Sequence, residues 1–460
     1  MSERWMSMPG IVTVETPGLG DRSYVVHDGH SAVVIDPQRD IGRVLDVLAS
    51  LQLTATHVLE THLHNDYVTG GLALARRCGA RYVVPGGAPV DFDRVPVADG
   101  EVIHAGRLRV AALHTPGHTP HHMSYAVGDQ HGPPHAVFTG GSMLYGAVGR
   151  TDLVSEDRTD ELSRAQYRSV RRLAAELPDH VSVHPTHGFG SFCSATETSG
   201  DSSTIGRERA QNLALVTEDE DRFVEQLTAG LTAYPRYYVH MAAINAAGPD
   251  EPDLSLPEAV DAEVLRERIG GGEWIVDLRQ RRAFAKLHVA GTVSIELDDP
   301  FATYLGWTLP WEAPVTLIGD GADQVLEARR QLARIGVDAL SGAYTGDIEA
   351  LGDGDLSGYE VASFADLGGC LGRDGVAVLD VRRPDEWAQG HVAEALHIPF
   401  WELADRVSEL PDKEIWVHCA SGFRASIGAS IVDRSGRRAV LVDDDWDHAA
   451  AAGLPIRTGS

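Results

Sequence analysis

Lysine is almost missing from this chain: of its 460 residues only Lys286 and Lys413 are lysines, and the rest of the basic charge is arginine. With 39 basic against 67 acidic residues the formal charge is −28. Phosphate backbones and anionic membranes reward clusters of Lys and Arg, which the sequence does not offer, so nucleic acid and membrane surfaces are disfavoured as partners. Cysteine is also scarce. Cys78, Cys193, Cys370 and Cys419 stand far apart without zinc-type spacing, which predicts free thiols in a reducing compartment. No window approaches the ~18 apolar residues of a spanning helix, and Met1 to Met6 contain no basic region leading into an apolar stretch. A cytoplasmic location is expected. What the chain does have is 43% hydrophobic content with ample Gly and Pro, enough for large α/β cores. A prior of roughly 150 residues per domain predicts about three of them.

Two imidazoles two residues apart converge on one metal ion only at a strand end or in a tight loop, and Thr61-His62-Leu63-His64-Asn65-Asp66 has that context. The β-prone run Ala55 to Glu60 precedes it, and Gly70-Gly71 opens a helical stretch from Leu72 to Cys78. His118, in Thr115-Pro116-Gly117-His118-Thr119-Pro120, and His187, in His184-Pro185-Thr186-His187-Gly188, also lie in turns after strand-like runs. Such imidazoles from separate loops make a borderline-soft site suited to Zn(II) or Fe(II). His57, His114, His121, His122 and His184 sit off the key positions and are expected to be structural or solvent-facing.

These motifs resemble the metallo-β-lactamase superfamily, whose signature is His-x-His-x-Asp-His. They are similar above all to its persulfide dioxygenases fused to rhodanese domains, through Glu60 to Gly71, Gly149-Arg150-Thr151-Asp152-Leu153 and His187-Gly188-Phe189-Gly190-Ser191-Phe192-Cys193. The resemblance implies an αββα sandwich over residues 1–248. It implies one metal ion per chain, Fe(II) in preference to Zn(II). Two positions depart from the family. Tyr67 stands where dinuclear hydrolases of the superfamily place a second-site histidine, a change that rhodanese-fused persulfide dioxygenases often share, and Gly141 falls where a metal-binding aspartate is expected. His62, His64 and His118 remain as expected ligands. Asp66, Tyr67, His187 and Arg150 are then expected around the metal or against the substrate, with an Arg150–Asp152 pair that simply holds a loop as the alternative for Arg150.

The last two hundred residues contain a degenerate repeat. Ile275-Val276-Asp277-Leu278-Arg279 followed by His288-Val289-Ala290 matches Leu379-Asp380-Val381-Arg382 followed by His391-Val392-Ala393, at a constant offset. The acidic, Pro-containing run Asn245 to Asp253 reads as a linker ahead of it. Two parallel α/β domains are therefore expected at about 255–352 and 358–460. In the second, Cys419-Ala420-Ser421-Gly422-Phe423-Arg424 joins a strand to a helix. A short loop closing on a helix amino terminus aims backbone N–H groups at its centre and favours thiolate over thiol. Arg424 is positioned to bind an anionic donor. The domain resembles rhodanese sulfurtransferases, and four residues between Cys and Arg, not the five of cysteine phosphatases, suit sulfur rather than phosphate. The first copy holds Gly319 and Gln324 at the corresponding places and is expected to be inactive.

Together these features imply an enzyme that oxidises a persulfide to sulfite at the metal and moves sulfane sulfur to or from thiosulfate or a small thiol at Cys419. Tethering raises the effective concentration of a labile persulfide at the second site. Two alternatives stay open: a zinc thioester hydrolase of glyoxalase II type, and a metal-poor scaffold carrying an active sulfurtransferase. Enzymes of this branch imply a homo-oligomer.

Overall fold

The strand Ser31–Ile35 shows how the first half of the chain is layered, because all four of its apolar residues are buried and they part to opposite faces. Val33 and Ile35 join a core shared with Val110, Tyr125 and Phe138, while Ala32 and Val34 join one shared with Val44, Leu48, Leu72 and Ala75. Side chains alternate across a strand, so a fully apolar run is stable only between two covered faces. This computed structural model describes residues 8–459 apart from 197, 199 and 352–354. It divides into two compact units, Met1–Asp253 with Ala333–Gly336, and Leu254–Leu332 with Val337–Ser460.

In the first unit two six-stranded sheets face one another. One runs in chain order from Gly10–Thr16 to Val95–Val97; the other contains Leu108–His114, Met123–Asp129, Pro134–Gly140 and Ser182–Pro185. Helices Gly42–Ser50 and Gly71–Cys78 cover the outer face of the first sheet. Thr159–Glu176 covers the second, burying Val170 and Leu173 against Val137 and Val183. The layers are αββα. Ser31–Ile35 pairs parallel with Thr54–Leu59, and Pro134–Gly140 with Ser182–Pro185, so the carboxyl ends of each pair emerge together. The segments that follow these four ends carry Asp36, His62, Gly141 and His187.

The expected linker starts too early. Tyr238–Ala247 is a helix, and Asn245 on it is 1% exposed. Its side chain accepts from the Thr69 N–H at 2.9 Å and donates to the carbonyls of His64 and Tyr67, each at 2.9 Å. A residue that looks like the first of a polar tether is instead the brace of the histidine loop. Asn245→Ala strands one donor and two acceptors in a dry site, and is expected to cost about 3 kcal/mol in urea unfolding. A loss under about 0.5 kcal/mol, typical of surface changes, would show that the loop supports itself.

The second unit holds two parallel sheets with matching strand order. One is Val293–Ser294, Trp274–Asp277, Val315–Ile318, Leu340–Tyr344; the other is Leu396–His397, Val376–Asp380, Glu414–His418, Ala439–Val442, Glu360–Ala362. The sequence repeat is thus a repeat of topology. In both copies an Asp at the strand end clamps the Arg two residues on, Asp277 with Arg279 at 2.7 Å and Asp380 with Arg382 at 2.6 Å.

Candidate metal centre and cysteine loop

Five imidazoles, of His62, His64, His118, His122 and His187, gather at the strand ends of the first unit, all at most 1% exposed. The ring of His62 lies 4.1 Å from that of His64, 4.8 Å from His118, 4.9 Å from His122 and 5.3 Å from His187. The neighbours of each ring assign its free nitrogen. Thr61 Oγ1 donates to Asp36 at 2.7 Å and so accepts from His62 Nδ1 at 2.8 Å, which leaves a lone pair on His62 Nε2. The Arg150 carbonyl accepts from His118 Nδ1 at 2.7 Å, and His118 Nε2 is buried without a hydrogen-bond partner among the described residues. His64 turns the other way. Its Nε2 meets Tyr67 Oη at 3.0 Å and Asp36 and Glu60 at 3.3 Å each, leaving Nδ1 buried and without a hydrogen-bond partner among the described residues.

His122 is different, because both its nitrogens are spent: Nδ1 on Thr115 Oγ1 at 2.9 Å and Nε2 on the Gly141 N–H at 3.1 Å. It supports the segment that carries Gly141. His187 has a more central place than the sequence suggests. Its Nδ1 lies between Asp21 at 2.9 Å and Asp66 at 3.0 Å, and its Nε2 is 3.3 Å from His62 Nε2. Potential ligand atoms of His62, His64 and His187 lie within 4.8 Å of one another, and so do those of His118, His187 and Cys193.

Burial drives His62 and His122 well below the usual histidine range, and burial together with the neighbouring His187 brings His118 down to about 3. These rings are neutral, as metal ligands must be. Burial would lower His187 too, but the Asp66 and Asp21 carboxylates outweigh it and push it up to about 10. His64 likewise rises to about 9, its burial overcome by Asp36 and Glu60. Four buried acidic side chains surround the cavity; His64 and His187 hold Asp36 and Asp66 in the ionised form, whereas burial raises Glu60 and, with Asp66 beside it, pushes Asp21 up to about 8, so the pocket has unmet capacity for positive charge. That electrostatic setting and the orphaned nitrogens of His64 and His118 fit a metal ion.

Position 141 departs from the family in three dimensions as well. A Cβ added at Gly141 would stand under 3.0 Å from Cγ, Cδ2 and Nε2 of the His118 ring, which occupies the room an aspartate side chain needs. Gly141→Asp therefore pushes His118 off its Arg150 carbonyl. It is expected to lower stability by roughly 1–3 kcal/mol, as overpacking does, without raising metal content. Unfolding midpoints and elemental analysis of the purified variant check both, and higher metal content would show that the ring yields.

Among the remaining expected residues, Arg150 is wholly engaged. It pairs with Asp152 through two bonds of 2.7 Å and donates to the carbonyls of Phe192 and Thr232. It holds a loop, and its own carbonyl orients His118. Asp36 escaped the sequence reading although it ties the loops together. Its carboxylate accepts from the Thr61 N–H and Thr61 Oγ1 at 2.7 Å each and from Thr186 Oγ1 at 2.5 Å. The available signal was a charged residue ending the apolar run Ala32 to Ile35.

In the second unit Cys419 follows strand Glu414–His418 and precedes helix Phe423–Arg434. Cys419 is 1% exposed, and its sulfur accepts the Gly422 N–H at 3.2 Å. Gly422 has φ 90°, and a side chain there would meet the Asp443 carboxylate. Arg424 is held by Glu386 through bonds of 2.5 and 2.8 Å, so the expected anion clamp is already paired with a carboxylate. The first copy reaches the loop from two sides. Arg281 and Arg282 pair with Asp443, and the Tyr304 ring lies 5.2 Å from that of Phe423.

The rhodanese-like domain family matches residues 364–451. A probable zinc-dependent hydrolase of polyketide biosynthesis, BaeB from Bacillus velezensis, is 30% identical over 178 residues, 36% of this chain and 72% of that protein. The human mitochondrial persulfide dioxygenase ETHE1 is 28% identical over 207 residues, 44% of this chain and 72% of that protein. A crystal structure of a metallo-β-lactamase from Staphylococcus aureus superposes with a TM-score of 0.66 at 27% identity, covering 73% of this chain and 99% of that one.

Proposed function

We propose, from the premise that this chain belongs to the metallo-β-lactamase superfamily, in its persulfide dioxygenase branch, and carries a rhodanese-like domain, that it oxidises a low-molecular-weight persulfide at the histidine centre and transfers sulfane sulfur at Cys419. The observation that carries the first half is the convergence of potential ligand atoms of His62, His64 and His187 within 4.8 Å of one another, with the buried His118 Nε2 turned free by the Arg150 carbonyl and close to His187 in turn. We assign one ion per chain, Fe(II) in preference to Zn(II). When bound, it would supply activation of dioxygen and a binding point for the persulfide sulfur. The protein's part is to hold the donors. Asp36 fixes the loop through Thr61, Tyr67 and Glu60 fix His64, and the Arg150 carbonyl fixes His118. Asp66 and Asp21 hold His187 beside them.

At the second site the Cys419 thiolate attacks the outer sulfur of a persulfide or thiosulfate. The S–S bond breaks, the thiolate or sulfite leaves with its electron pair, and Cys419 retains the sulfur as a persulfide. The Gly422 N–H steadies the charge on sulfur. With Arg424 paired to Glu386, its task is to anchor the loop, and an anionic donor has to compete with that carboxylate. Residues 255–352 are read as an inactive companion domain, since Gly319 and Gln324 offer neither nucleophile nor cation. A reducing cytoplasm suits four free thiols, and a homo-oligomer is the proposed assembly.

Oxygen consumption with glutathione persulfide, measured alongside iron and zinc content, tests the reading. One observation favours a thioester hydrolase as the second reading: with Gly141 in place of aspartate the expected set of His62, His64 and His118 contains imidazoles alone, an arrangement competent for zinc and hydroxide. Zinc-loaded protein that hydrolyses S-lactoylglutathione and consumes no oxygen would favour it.

A further inference from the structure

We propose that Cys193 is a metal ligand in this chain, its thiolate acting beside His118 and His187 as the anionic donor that position 141 lacks. The proposal rests on the reading that the histidine cluster holds a metal, and adds to it the identity of a donor. Three neutral imidazoles bring no charge to a divalent cation, and the residue expected to do so is a glycine whose space the His118 ring fills. Cys193 is fully buried, and its sulfur is within 4.8 Å of ligand nitrogens of His118 and His187. His118 Nε2, the nitrogen left free by the Arg150 carbonyl, has no hydrogen-bond partner among the described residues.

The backbone fixes the sulfur relative to the ring. The Cys193 carbonyl accepts the Arg150 N–H at 2.8 Å, and the Arg150 carbonyl in turn accepts His118 Nδ1 at 2.7 Å. One residue therefore ties the two donors together. On the other side Ser191 Oγ accepts the Cys193 N–H at 3.2 Å and reaches Asp66 at 3.4 Å, so the cysteine is held against the carboxylate that also orients His187. A thiol in such a dry, acidic pocket has little reason to ionise by itself. A divalent cation changes the balance, because a coordinated thiol gives up its proton outright. Binding exchanges that proton, released to bulk water, for the metal–sulfur bond, and no electron changes hands. A thiolate also makes the centre softer than a histidine–carboxylate set, which favours Zn(II), Co(II) and Fe(II) over Mg(II) or Mn(II).

Cobalt reports the sulfur directly. Metal-free full-length protein titrated with Co(II) is expected to show a sulfur-to-cobalt charge-transfer band in the near-ultraviolet. The Cys419→Ser protein should show the same band, and Cys193→Ser should lose it while binding cobalt at least about 100-fold more weakly, beyond the usual effect of an outer-sphere partner. X-ray absorption at the cobalt edge of Cys419→Ser protein provides a test that does not depend on how Cys193→Ser folds: it should contain a sulfur scatterer at about 2.3 Å. Cobalt bound at one equivalent without sulfur in either measurement overturns the assignment of Cys193 and leaves the metal reading standing. A band that survives in Cys193→Ser also overturns it. Failure of the unmutated protein to take up cobalt or iron overturns both.

Discussion

Cys419→Ser is expected to abolish sulfur transfer from thiosulfate to cyanide, by about a thousandfold or more, while the protein stays folded and its oxygen consumption is retained. The exchange removes a soft nucleophile and little volume. Serine keeps an oxygen that accepts the Gly422 N–H now donated to sulfur, so the turn into helix Phe423–Arg434 survives. A hydroxyl cannot carry a sulfane sulfur in place of a thiolate, because its proton is held far more tightly and the O–S adduct is a poor persulfide equivalent. The loop also makes no use of a second cysteine: Cys370 lies in the helix Phe364–Cys370, its thiol donating to the Leu367 carbonyl at 3.4 Å. Transfer that persisted in Cys419→Ser would move the reaction to another of the four thiols and end the present assignment of the loop. Thiosulfate:cyanide assays and circular dichroism on the same preparation decide it.

His62→Ala is expected to have the complementary effect, with oxygen consumption lost, metal affinity down about 100-fold or more, and Cys419 chemistry unchanged. The large effect follows from the position of this ring. It lies 4.1 Å from the ring of His64 and 4.8 and 4.9 Å from those of His118 and His122, and its Nε2 faces His187 Nε2 at 3.3 Å. Removing it deletes a donor and opens a cavity among the remaining imidazoles, with Thr61 still tied to Asp36. Unchanged oxygen uptake on a persulfide would end the case for metal chemistry at this centre. The two variants, run in parallel, separate the halves of the protein, because each should silence one activity and spare the other.

The chemistry was legible in short motifs because its local requirements are local. A His-x-His pair after a β-prone run, glycine-rich turns before His118 and after His187, and a cysteine between a strand and a helix each announce themselves within a dozen residues. The layers of the fold were legible for the same reason, since apolar runs such as Ala32 to Ile35 demand cover on both faces. The repeat in the second half was visible as recurring Asp-x-Arg and His-Val-Ala segments, and its matched sheets follow from it.

Tertiary structure decided which polar groups face one another across large separations. Asn245 braces a loop 176 residues away, and nothing in its neighbours distinguishes it from the first residue of a linker. Asp36 and Thr186 meet across 150 residues, and Glu386 reaches Arg424 across 38. The missing aspartate at Gly141 could be read from the motif, but not the His118 ring that fills its place. By itself the sequence determined the kinds of donor, nucleophile and sheet this protein contains, since those depend on residue type and periodicity. Which nitrogen of each ring stays free, and which sulfur lies beside it, depended on hydrogen bonds between segments that only the packed chain brings together.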